Sequence, residues 1–213
     1  MINYKEVVHI LIAIVVATFV LSFSFIMKGE FHYSLLLFNL LAVAIVISIN
    51  ILGKKFAAYY YEAKIEVNTW MWQRYGFMRH KHFKKPIPAG VLVPFFVSLL
   101  SFGNFIWLAL MEFDVYSTAA RASRRHGKYR FTEMTDIHIG LIAAAGVVFN
   151  LIFSIILYLI GLPEISKISI YYALFSLVPF GNLDGTKIFF GSVVLWISLM
   201  VISTIFLGFT FVP

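Results

Sequence analysis

The sequence predicts an all-α polytopic membrane protein, a single integral membrane domain over residues 1–213 with about five spans, a re-entrant hairpin and a short β segment at the membrane interface. Three observations predict it. Hydrophobic residues make up 61% of the 213 and charged residues 13%, with a mean hydropathy of +0.90. Several apolar runs reach or exceed the ~20 residues that a helix needs to cross a ~30 Å hydrocarbon core. The breaks between runs are short and polar, which leaves no stretch for a separate soluble domain. The chain contains no cysteine, so disulfide frameworks, thiolate metal sites and cysteine nucleophiles are excluded. A metal site would have to use His, Asp, Glu or Asn.

The first apolar run, 7–27, is longer than a signal-peptide core and lacks a small-x-small cleavage pattern, so it reads as a retained span. A second span, from residue 33 to about 52, follows the polar break Lys28-Gly29-Glu30. The basic, aromatic stretch 54–85 is expected at the surface. Within it Ile65-Glu66-Val67-Asn68-Thr69-Trp70 alternates like a strand, and Trp70, Trp72 and Tyr75 suit a membrane interface. The run 88–113 is interrupted by the turn-forming Ser101-Phe102-Gly103-Asn104. After a second basic loop, 114–135, come a span over 137–162, a helix over 168–178, a Pro-Phe-Gly-Asn break at 179–182 and a last apolar run over 188–212. Irregular backbone at membrane depth is tolerated only where it is buried in protein or lines a cavity, so the break at 179–182 marks an internal site.

Positive charge decides how 88–113 is disposed, because cytoplasmic loops near span ends collect Lys and Arg. If that run crosses the membrane, the two sides hold ten and seven basic residues; if it doubles back, they hold fifteen and two. The second arrangement gives a re-entrant hairpin, a cytoplasmic N-terminus in the cell membrane and both basic loops inside. The net charge of +7 belongs to residues that flank spans among Trp and Tyr, as expected of side chains facing anionic headgroups. The lipid bilayer is therefore the partner that charge implies, and nucleic acid is not.

Three segments, taken in order, carry a family resemblance. The stretch Asn50-Ile51-Leu52-Gly53-Lys54, followed by Lys55-Phe56-Ala57-Ala58 and the strand-like segment, resembles the HExxH helix, small-residue continuation and strand of site-2 proteases, the membrane-embedded zinc metallopeptidases. Gly140 to Asn150 resembles their G-P-x-x-N span, with Val147 in place of proline. Phe175 to Gly185 resembles their N-x-x-P-x4-D-G segment, with Ser176 in place of the first asparagine. The resemblance covers roughly half of the chain, and the order of segments together with the Pro179 to Asp184 spacing makes it specific.

In that family two histidines at i and i+4 grip zinc from one helical face, and the glutamate beside the first activates a water. Here those positions hold Asn50, Lys54 and Ile51. Asn is a poor zinc ligand, Ile cannot act as a general base, and a protonated Lys repels a metal. Only Asp184 matches a ligand, so no catalytic residue is expected and Asp184 would be the metal ligand only if zinc bound. The remnant site expected from the resemblance comprises Asp184, Lys54, Asn150 and Asn182, with no cofactor as the first expectation and zinc as the alternative. Asn150 has a second role open to it, a buried interhelical hydrogen bond. A metal site relocated to His80 and His82, to His126, or to Asp136 and His138 is disfavoured by neighbouring cations or by a capping role for Asp136.

An ionised carboxylate at membrane depth rarely lacks a partner. Two are open to Asp184: Lys187, three residues on along one helical face, or Lys54, whose ammonium would supply the charge that the metal gives in the family. In the family, a strand edge pairs with unwound substrate by strand addition. The expected partner-binding residues here are Ile65, Val67 and Thr69. Three functions stay open: a catalytically silent protease scaffold that binds transmembrane helices of other proteins, an active zinc endopeptidase with non-standard ligands, and a small transporter or channel that uses Asp184.

Overall fold

The computed structural model describes residues 3–29, 32–74, 82–118 and 134–210, and these are mostly helical. Among the described residues seven helices, α1 (Tyr4–Met27), α2 (Tyr33–Tyr60), α3 (Ala89–Leu100), α4 (Asp136–Ile160), α5 (Pro163–Ser176), α6 (Asp184–Gly191) and α7 (Val193–Phe209), are accompanied by four strands, β1 (Ala63–Thr69), β2 (Trp72–Arg74), β3 (His82–Ile87) and β4 (Met111–Ser117). Among the described residues three helices, α1, α2 and α4, are long and apolar enough to cross a membrane. At 1.5 Å per residue they measure roughly 36 to 42 Å. The chain is thus a membrane-associated helical protein.

The second helix outruns its expected end near residue 52 by two turns. Lys54 and Lys55, which on the sequence open a surface loop, stay inside α2 because each meets a carboxylate, Asp184 and Glu6 respectively. Past them, Ala57 and Ala58 pack into the core. The run 88–113 does double back in the chain, as helix α3, a turn at 101–104 and an extended return into β4. Ser101 Oγ accepts from the Phe105 N–H across that turn. The last apolar run is not continuous. It breaks at Ser192, whose φ of −164° is extended and whose hydroxyl accepts from the Leu195 N–H to start α7.

Strands β1 and β4 form an antiparallel pair, with Ile65 opposite Val115 and Val67 opposite Phe113, and β2 pairs with β3 separately. Beneath the β1–β4 pair, α2 and α4 cross closely, and α4 also packs on α5 and α6. Lipid chains give two apolar helices little reason to associate, so close approach through small residues and buried polar contacts carries the packing. Gly53 faces Phe149 and the Ala145 carbonyl, and Gly146 faces Lys54 and Asn50. The core centres on this crossing: Ala42, Val46 and Ile47 of α2, Ile142, Ala143 and Val147 of α4, and Val67 and Phe113 of the sheet are all fully buried or nearly so.

Candidate functional site: a buried lysine–aspartate pair beside a strand edge

Lys54 and Asn50 stand one turn apart on the face of α2 that meets α4. A β-carbon added to Gly146 would lie 2.8 Å from Lys54 Cε and 3.0 Å from Asn50 Nδ2; only a glycine leaves room for the lysine stem to pass. The stem carries its ammonium to the N-terminus of α6, where Nζ lies 2.6 Å from Asp184 Oδ2. The two side chains are 1% and 2% exposed. Asp184 sits in the first turn of α6, where the unpaired N–H groups of the helix start suit a carboxylate. The Asp-Gly sequence matters locally too. A β-carbon on Gly185 would meet the Leu177 carbonyl at 2.1 Å, so the glycine lets α6 start directly against the end of α5.

Charge continues past the pair. Two ammonium groups lie over the Phe113 ring, Lys54 Nζ 5.1 Å and Lys187 Nζ 3.9 Å from its centroid. Lys187 does not pair with Asp184 as a neighbour on one helix; it donates to the Phe113 backbone carbonyl of β4. Glu112, 8% exposed, faces Lys187, Asp114, the Asn182 side chain and the Met71 backbone N–H, and burial pushes its carboxyl up to about 7. Its Oε2 is buried with no hydrogen-bond partner among the described residues.

The remnant-site residues converge only in part. Asp184 and Lys54 touch, and Asn50 shares their crossing. Asn150 is fully buried one turn from Gly146. Its backbone carbonyl accepts from Ser169 Oγ at 2.9 Å, whereas its amide atoms, like those of Asn50, have no hydrogen-bond partner among the described residues. The expected interhelical bond is made by the backbone of Asn150, not by its side chain. The Asn182 side chain bonds the Glu112 carboxyl. Ile51 is buried as an apolar core residue. Ile65, Val67 and Thr69 turn their side chains inward, at 5%, 0% and 2% exposure, and Thr69 Oγ1 meets His9 Nδ1 at 2.6 Å. Asp136 lies beside Gly191, at the opposite end of α6 from Asp184, and His138 sits against Thr135 and the Tyr61 ring. His80 and His126 lie outside the described residues.

Two site members, Glu112 and Phe113, were not singled out on the sequence. The signal for Glu112 is present, since it is the sole charge in the apolar run 88–113 and a lone charge among apolar residues marks a polar contact. Phe113 carries no comparable signal. Its importance comes from strand register.

That register also fixes which backbone groups are unpaired. The Trp70 N–H donates to Leu110 and the Thr118 N–H to Glu62, so the pairs that bracket the ladder are hydrogen-bonded ones. Hydrogen-bonded and non-bonded pairs alternate along antiparallel strands, which directs the N–H and C=O of Met111, Phe113 and Val115 away from β1. Among the described residues no backbone hydrogen bond closes that outer edge. β1 also packs on α1 and α2, whereas the main packing of β4 is to β1 alone.

Among the described residues no group of three or more His, Cys, Asp or Glu side chains stands together to hold a metal ion, and the Lys54 ammonium is bonded to the Asp184 carboxylate. No protein-family model, curated protein or solved structure matches the chain.

Proposed function

We propose that this chain is a site-2 protease-like membrane protein of about five spans in which the Lys54 ammonium stands in for the metal, and that it binds an extended segment of a membrane-protein partner without cleaving it. One observation carries the reading: the 2.6 Å contact between Lys54 and Asp184 joins the position of a lost histidine to the position of a retained ligand. These lie far apart in sequence, and the family resemblance alone predicts that they meet. A cation in the metal's place keeps the cleft together, and the loss of the general base at Ile51 removes the chemistry.

The outer edge of β4 runs beside this pair and suits strand addition, in which backbone hydrogen bonds supply affinity and side-chain pockets supply selectivity. It takes over the partner-binding role expected of β1, whose side chains are committed to the core. The multi-pass arrangement with both basic segments on the cytoplasmic side draws support from the β1–β4 pairing, which brings the start of the second basic segment onto Glu62.

The test is a proteolysis assay on the purified chain supplied with zinc and a transmembrane-helix reporter, together with a photo-crosslinker at Tyr116 to read binding. Crosslinking of intact reporter with no cleavage product is the expected result. Cleavage that disappears in Asp184→Ala would overturn the proposal.

A further inference from the structure

Strands β1 and β4 hold three carboxylates, Glu66, Glu112 and Asp114, against a single ammonium, Lys64, in a chain whose net charge is +7. Register puts all four on one face. Glu66 stands opposite Asp114, Asn68 opposite Glu112 and Lys64 opposite Tyr116, while Ile65, Val67 and Phe113 face the core. Like charges directly opposite each other destabilise a strand pair, and anionic headgroups repel an acidic face. Both costs are relieved by a cation brought to the open side of β4. We propose that the β4 edge selects a basic extended segment, one that sets a Lys or Arg beside Asp114 and an apolar residue beside Val115. This rests on the reading of β4 as a docking edge.

Val115 sets the register of the added strand. Its N–H and C=O point away from β1, whereas the Phe113 carbonyl, the next outward one, is already held by Lys187. An antiparallel strand therefore pairs fully at Val115. Its neighbours opposite Asp114 and Tyr116 then form non-hydrogen-bonded pairs, the kind in which side chains lie closest. The residue beside Asp114 shares the face of Asp114 and Glu66, and the residue beside Val115 turns the other way, the side on which Val115 packs against the core.

The carboxylates on that face have room for a further cation. Among the described residues Asp114 has no ion-pair partner; it accepts from Asn68 Nδ2 at 3.1 Å. Glu66 meets Lys64 only at 3.8 Å, with the two side chains 35% and 60% exposed. Tyr116 is exposed and offers its ring to a second cation two residues along the added strand. A spanning partner carries a segment of this kind, because Lys and Arg collect in the cytoplasmic flanks of transmembrane helices, the side on which the proposed topology sets this strand pair. The edge thus reads the flank of a partner's span, in the alternation basic, apolar, basic.

The full chain in phosphatidylcholine nanodiscs is titrated into three fluorescent Val/Thr peptides of about ten residues that carry Lys, Gln or Glu at alternate positions, with empty nanodiscs as the lipid background. By anisotropy the Lys peptide is expected to bind up to about fivefold more tightly than the Gln peptide, the worth of one cross-strand ion pair. The Glu peptide should bind more weakly than the Gln peptide, and the spread should narrow as salt rises. Asp114→Asn should remove most of the spread, and Glu66→Lys/Asp114→Lys should invert it. Glu66→Gln, which leaves the Asn68 bond in place, should narrow it and keeps the test decisive if the double variant does not fold. If the three peptides bind wild type equally, or if their order and spread persist in the folded variants, selection by charge is wrong although the edge stands. If no peptide binds, or if binding survives Val115→Pro, which deletes an outward N–H, the reading of the edge itself is wrong.

Discussion

Gly146 lies flush against the stem of Lys54, so close that a single added methyl would stand 2.8 Å from Cε. The contact ties the helix crossing to the electrostatics of the site, because the lysine reaches Asp184 only by passing over that glycine. Gly146→Ala should therefore cost about 1–3 kcal/mol, the usual range for forced overpacking, and should loosen the ion pair. The same change at Gly161, where a β-carbon meets nothing but φ is positive, should act only through backbone strain and leave the pair intact. Thermal unfolding in detergent, with the chemical shift of a labelled Lys54, separates the two.

Removing one partner of the buried pair is the harsher change. Lys54→Met leaves Asp184 buried with its counter-charge gone, which for such pairs costs about 3–5 kcal/mol. The double variant Lys54→Met/Asp184→Leu removes both charges and should recover most of that loss. A double-mutant cycle by equilibrium unfolding gives the coupling energy, and independent, additive losses would show that the two groups do not depend on each other.

Placing zinc-ligating residues at these positions asks a different question of the same helix. Asn50→His/Ile51→Glu/Lys54→His places two imidazoles one turn apart on the α2 face beside Gly146, with Asp184 opposite. The variant should take up about one zinc per chain, the three-ligand arrangement of catalytic sites, and lose it when Asp184→Ala is added. Metal analysis after dialysis reads both, and no uptake would argue against the alignment of the motifs.

Much of this site could be read from the residues. The apolar runs gave α1, α2 and α4 because span length and hydropathy are summed over many residues and tolerate local error. Alternation gave β1. The lysine–aspartate contact was one of two partners open to Asp184, and the structure selects it because Lys187, though nearer in sequence, is drawn to a backbone carbonyl. The break at Ser192 was not legible, since an isolated serine in an apolar run is ordinary in membrane helices. The pairing of β1 with β4 was equally hidden: Met111 to Ser117 mixes apolar and acidic residues without clean alternation, and its strand character comes from its partner.

Acidity should report on Glu112. Its carboxyl rises from 4.5 to about 7 in the folded protein, so between those values the native state holds a proton that the unfolded chain has lost. Stability conferred by the protonated form is complete below about pH 4.5 and falls as pH rises, with a slope of at most about 1.4 kcal/mol per pH unit, and levels off above about 7. Glu112→Gln should flatten this stretch of the profile. A wild-type melting temperature that stays constant between about pH 5 and about pH 7 would mean that the carboxyl is not buried as described.

The union of Lys54 with Asp184 also bears on how the chain is made. The lysine emerges from the ribosome early, and its counter-charge arrives only when α6 has been synthesised. Until then α2 carries an unneutralised cation near its end, which the long side chain can relieve by reaching toward the headgroups. Seating of α2 against α4 thus waits for the last third of the polypeptide, and nascent chains halted before α6 should be poor at insertion and open to membrane quality control.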